Sequence, residues 1–262
     1  MNSVRQVVSR SPKRAVGIVN AKWFQGSPIE FESLLEKSFI QLCLLSPAVR
    51  NITHQPFRLP LSDKRWYIPD FLLTLIDGAR VVVEVKPLSK FPKYIDRFDQ
   101  IAGKLLPHQL PFLVAHDKLI TWSNRHRNAA RILRYRIETS SHISESDILQ
   151  VVNQAPDSGI LIAALQAECH CSMADILHLI ATRKISVSRD LAITNNSPVF
   201  SISKGEKDAT FQFFNWIGDS PWRTNLRIPA ATGWTESPVR RSDNSIYKNL
   251  SDLKANFPNP EW

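Results

Sequence analysis

The chain has 262 residues, 43% of them hydrophobic, with 33 Lys and Arg against 24 Asp and Glu and a formal net charge of +9. That apolar share can bury a core, which excludes wholesale disorder, and no apolar run approaches the ~20 residues of a membrane span. Three cysteines (Cys43, Cys169, Cys171) cannot build a disulfide framework and point to a reducing, cytoplasmic setting.

The charge is unevenly spread. Residues 1–141 hold 22 Lys and Arg against 11 Asp and Glu, whereas residues 142–262 hold 11 against 13. The first half is therefore the candidate partner for nucleic acid. Residues 1–26 are basic with little periodicity and no apolar stretch behind the positive charges. They read as a mobile arm and not as a secretory signal.

Ser27-Pro28-Ile29-Glu30 has the cap, first-turn proline and third-position acid of a helix start, predicting a helix to about Leu45. A strand is expected around 53–61. Residues 66–76 and 79–86 flank Asp77-Gly78 and predict a β-hairpin. Residues 93–106 carry apolar groups at helical spacing, and 111–115 read as a buried strand, so this helix should cross between parallel strands. A very basic helix over 124–137, capped by Ser123, follows. Segments 144–154, 160–167 and 172–183 predict three short helices, and 185–187 with 191–193 a terminal hairpin, together a winged helix. Residues 203–262 lose periodicity and hold four of the seven tryptophans (Trp216, Trp222, Trp234, Trp262). The domain plan is thus 1–26, 27–141, 142–202 and 203–262. The last stretch is expected to fold on a protein partner, since Trp suits buried interface anchors.

The chemistry centres on Pro69-Asp70 and Glu84-Val85-Lys86. An Asp and a Glu on neighbouring strands can share a hard divalent cation through oxygen. Lys86, two residues on from Glu84, projects from the same strand face. It can orient an attacking water or offset charge growing on a phosphate, as metal-assisted phosphodiester hydrolysis requires. Strand alternation puts Phe71, Leu73, Leu75, Val81, Val83 and Val85 on one face. Asp70, Leu72, Thr74, Arg80, Glu84 and Lys86 fall on the other. A two-residue Asp77-Gly78 turn would mix these faces, so an odd-numbered loop or a bulge at Gly78 is expected. Glu36, among apolar neighbours of the first helix, is a third acid in want of a partner, with Glu32 a turn earlier as the second choice. Arg125, Arg127, Arg131, Arg134 and Arg136 crowd one helix with no acid until Glu138, which suits phosphate contact.

At these residues the sequence resembles the PD-(D/E)xK nuclease superfamily. The run Phe31–Glu36, Gln55-Pro56, Pro69-Asp70-Phe71, Asp77-Gly78 and Glu84-Val85-Lys86-Pro87 resembles TnsA, the endonuclease subunit of a heteromeric transposase. The likeness covers roughly residues 27–200. It implies an α/β restriction-endonuclease-like core (αβββαβ, mixed sheet) followed by a winged helix. Glu36, Asp70 and Glu84 would be the acidic site residues, with the Val85 backbone carbonyl a further metal ligand and Lys86 the catalytic lysine. Magnesium or manganese, two ions, would be the cofactor. The implied reaction is cleavage of the 5′, non-transferred strands at transposon ends. The implied partners are DNA, a DDE-type transposase of the retroviral-integrase kind, and an AAA+ ATPase regulator bound through the winged helix and C-terminal tail. No membrane is implied. Two rival readings share these residues: a stand-alone restriction- or repair-type nuclease, and a non-catalytic DNA-binding adaptor.

Overall fold

A computed structural model describes residues 15–61, 65–137, 144–202, 208–218 and 220. The chain opens with two short antiparallel strands, β1 (Gly17–Val19) and β2 (Ile29–Phe31). The expected helix start at Ser27 is therefore corrected: Ile29 and Phe31 alternate inward around Glu30 and pair as a strand. Helix α1 (Leu34–Leu45) starts one capping signal later, at Ser33. The Ser33 hydroxyl accepts from the Glu36 N–H, and the Glu36 carboxylate accepts from the Ser33 hydroxyl and the Glu32 N–H. This reciprocal cap satisfies donors that the first turn leaves open. The mobile-arm reading is likewise corrected for β1, while residues 1–14 lie outside the described residues.

A four-stranded sheet follows, in the order β3 (Val49–His54), β6 (Phe71–Leu75), β7 (Arg80–Val85), β8 (Phe112–Ala115). Between β3 and β6 lies a two-stranded ribbon, β4 (Leu59–Pro60) with β5 (Trp66–Tyr67). The single strand expected over 53–61 is thus two, broken at Gln55. Strand β6 runs antiparallel to both β3 and β7, and β7 pairs with β8 in parallel. The parallel pair is joined through helix α2 (Phe91–Leu105), as the 3.6-residue spacing of its apolar groups predicts.

The β6–β7 loop has the odd length that burial demands. Thr74 pairs with Arg80 and Phe71 with Val83, and the Gly78 N–H donates to the Leu75 carbonyl. Gly78 sits at φ 90°, where a side chain would be strained. This register gathers Phe71, Leu73, Leu75, Val81, Val83 and Val85 against α1. Leu72 and Val82 face α2, packing with Phe91, Ile95, Phe98 and Phe112. The sheet is buried on both sides, so the second face is not a solvent face.

Helices α3 (Asp117–Thr121) and α4 (Arg125–Ile132) pack beside α1. The basic helix is shorter than expected and continues as a 3-10 turn, Leu133–Arg136. Ser123 does not cap it: Ser123 and Asn124 both adopt left-handed backbone at its start. Next come α5 (Glu145–Gln154), β9 (Ile160–Leu161), α6 (Ile162–Cys169), α7 (Met173–Ala181), β10 (Ile185–Val187) and β11 (Pro198–Ser201). The three strands form a small antiparallel sheet in the order β10-β11-β9. The hairpin partner of β10 is β11 and not 191–193, because Leu191 turns through φ 56° and buries its side chain. Arg183 ties this unit to the first, donating to the carbonyls of Ser46 and Val49 just past the end of α1 and stacking on Phe24.

The partner-binding tail is corrected in part. Helix α8 (Ala209–Ile217) returns to the main core, where Phe213, Phe214, Trp216 and Ile217 are buried. The Trp216 indole N–H donates to the Leu42 carbonyl at 3.0 Å. Trp222, Trp234 and Trp262 lie outside the described residues. Because α8 is core, Phe213→Ala should destabilise the protein by about 3–5 kcal/mol in urea unfolding, and removing residues 203–262 should cost the main core its cooperative transition.

Candidate active site

The register of β6 and β7, continued by one residue, sets Asp70 opposite Glu84 at one end of the sheet. The Val85 N–H donates to Asp70 Oδ2 at 2.7 Å, which locks the Asp70 carboxyl against β7. Glu84 is 6% exposed. Its Oε1 lies 2.8 Å from Lys86 Nζ, and its Oε2 accepts from the Tyr67 hydroxyl at 2.6 Å. Lys86 also sits over the Tyr94 ring at 5.2 Å, and Arg97 over the Tyr67 ring at 5.5 Å. Asp70, Glu84 and Lys86, expected together from strand alternation, therefore meet.

Glu36 stands differently. Its charge is felt by Asp70, and Glu84 acts on it in turn. Yet both its oxygens are engaged by Glu32 and Ser33 at the start of α1. Among the described residues no group of three or more His, Cys, Asp or Glu is placed to hold a metal ion. Asp70 and Glu84 thus stand directly opposed, while Glu36 lies near enough to act on both by charge with its oxygens turned to the start of α1. Glu32 accepts from the Gln55 amide at 3.1 Å, and the Gln55 N–H donates to the Asp70 carbonyl at 2.9 Å. Gln55 itself is held at φ 40°, a costly conformation for a residue with a side chain.

The electrostatics describe a site short of positive charge. Burial, then the carboxylates of Glu84 and Glu36, push the Asp70 carboxyl well above its ordinary range, outweighing the Val85 N–H and Lys86. Burial also raises Glu36, against its local hydrogen bonds. For Lys86 burial works against the ammonium, but Glu84 and Asp70 prevail and raise it. Burial and the Glu84 and Asp70 charges hold the Tyr67 phenol well above its ordinary range, so it remains a donor. Two opposed carboxylates with one ammonium beside Glu84 leave negative charge that a hard divalent cation could offset through oxygen. Asp70 and Glu84 could supply carboxylate oxygens to such an ion, and Val85 is the residue next to Glu84 on β7.

Sequence reasoning missed Tyr67. It precedes Asp70 by three residues, off the alternation that linked Asp70 to Glu84, and the irregular stretch Ile68-Pro69 between β5 and β6 brings it in. The DNA-contact set is corrected at Arg125. Its side chain is 1% exposed, and its guanidinium donates to the Ile217 and Trp216 carbonyls at 3.0 and 2.8 Å. Arg127, Arg131 and Arg134 are exposed. No protein-family model matches the chain, and no curated protein shows significant sequence similarity to it.

Asp70→Asn removes a carboxylate that the metal-free fold holds at a cost. In EDTA near neutral pH its Tm should rise by roughly 2–4 °C, about 1 kcal/mol at this size. The folded wild type binds the Asp70 proton more tightly than the unfolded chain. Its stability should therefore fall as pH rises from the ordinary carboxylate range through the raised value. Melts at about pH 5 and about pH 7.5 should show this slope shrinking in Asp70→Asn.

Proposed function

We propose that the protein is a metal-dependent endodeoxyribonuclease of the PD-(D/E)xK kind, acting as a TnsA-like subunit that cuts the 5′ strands at transposon ends. The observation that carries the reading is the opposition of Asp70 and Glu84 across β6 and β7, with Lys86 2.8 Å from Glu84. The mixed sheet β3-β6-β7-β8 with α1 and α2 on its two faces supports a restriction-endonuclease-like core. The α5–β11 unit, three helices with a small antiparallel sheet, is compatible with a winged helix.

In this mechanism Asp70, Glu84 and the Val85 carbonyl would hold Mg²⁺ or Mn²⁺, which when bound would supply Lewis acidity toward the scissile phosphate and lower the pKa of water. Lys86 projects beside Glu84, where its ammonium orients the attacking water and offsets charge growing on the phosphate oxygens. Asp70, fixed by the Val85 N–H, keeps the two carboxylates at a constant separation as that charge shifts. Arg127, Arg131 and Arg134 offer phosphate contacts, independent of sequence and weakened by salt. Site choice then falls to the partners: a DDE-type transposase for the 3′ strands and an AAA+ regulator.

The test is strand-specific. With end-labelled transposon DNA, partner transposase and Mg²⁺, the wild type should cut the 5′ strands. Asp70→Ala and Lys86→Ala should each lower that cutting by roughly 10²-fold or more, while 3′ cutting by the partner continues. Retained 5′ cleavage would end the assignment. Robust cutting by the isolated wild type would favour a stand-alone nuclease instead.

A further inference from the structure

The carboxylate of Glu84 is filled on both sides by groups of opposite character. Tyr67, on Oε2, is 3% exposed and packed in the α2-side core, and Glu84 is the acceptor its hydroxyl has there. Lys86, on Oε1, keeps 27% of its side chain exposed, and in that same position its ammonium lies 5.2 Å over the Tyr94 ring. One partner cannot leave without opening the core. The other can leave at less cost, because its side chain is partly exposed and solvent can receive the ammonium.

We infer that Tyr67 is the fixed positioning residue for Glu84, and that Lys86 is a removable counterion which a divalent cation displaces from Glu84 Oε1 as it binds. An ammonium and a dication on one carboxylate oxygen repel at close range, so the dication's stronger attraction to the carboxylate favours exchange. Without the ion, Lys86 balances the acidic pair and is held away from substrate. With the ion, it is released on the same strand face, beside the position of a scissile phosphate. Lysine availability is thereby tied to ion loading. The inference rests on the metal-site reading above and assigns the order in which its parts come into play.

The two roles predict opposite effects on ion affinity, a readout separate from cleavage. Mn²⁺ would be titrated into the full-length protein, with free Mn²⁺ followed by electron paramagnetic resonance. Tyr67→Phe keeps the ring and removes only the hydroxyl, and should weaken Mn²⁺ binding about tenfold. Lys86→Met keeps most of the stem and removes the competing charge, and should tighten binding by about the same factor. A loosened fold would weaken binding in both variants, so the opposite sign for Lys86→Met cannot come from general damage. Unchanged affinity in Tyr67→Phe would overturn the anchor, and unchanged or weaker affinity in Lys86→Met would overturn the displacement. Absence of Mn²⁺ binding by the wild type would overturn the metal-site reading itself, and this inference with it.

Discussion

Two carboxylates set opposite each other at a buried sheet end are the constraint around which this molecule is arranged. Asp70 and Glu84 repel, and burial magnifies the repulsion. Each device near them answers that problem. The Val85 N–H fixes one carboxyl, Tyr67 and Lys86 divide the oxygens of the other, and Glu36 is kept occupied by its own helix cap. A fold selected for stability alone would set apolar side chains there, as it does along the buried stretches of β6 and β7. That the pair persists in a sheet covered on both faces is the physical reason for reading it as a site.

What the sequence made legible was local. The faces of β6 and β7 follow from alternation, and the requirement that six apolar residues share a side is enough to dictate an odd-length loop. Asp70, Glu84 and Lys86 come from the same argument. The start of α1 was not legible by caps alone. Ser27 and Ser33 each precede an acid by three residues, and only the pairing of Ile29–Phe31 with Gly17–Val19 decides between them. The partner of β10 was lost in a similar way, since a short apolar stretch at 191–193 competes with β11 on equal local terms.

Long-range contacts were beyond reach for a different reason. Arg125 looks like its neighbours Arg127 and Arg131 on the helix, yet it turns inward to carbonyls more than ninety residues ahead. Its burial and the docking of α8 are one event, visible only when both segments are in place. The same contact redraws the domain plan. The α5–β11 unit is an excursion between α4 and α8, and its helices share one continuous core with α1 and the sheet. The basic surplus of the first half is also smaller at the surface than in composition, because one of its arginines is spent inside.

Helix α1 carries a mechanical consequence. At its far end Arg183, from the α5–β11 unit, holds the carbonyls of Ser46 and Val49. At its near end Glu36 faces the field of the acidic pair. Twelve residues at 1.5 Å each make a helix of about 18 Å, its C-terminal half buried in the core. One helix therefore joins the α5–β11 unit at one end to the charge beside Asp70 at the other.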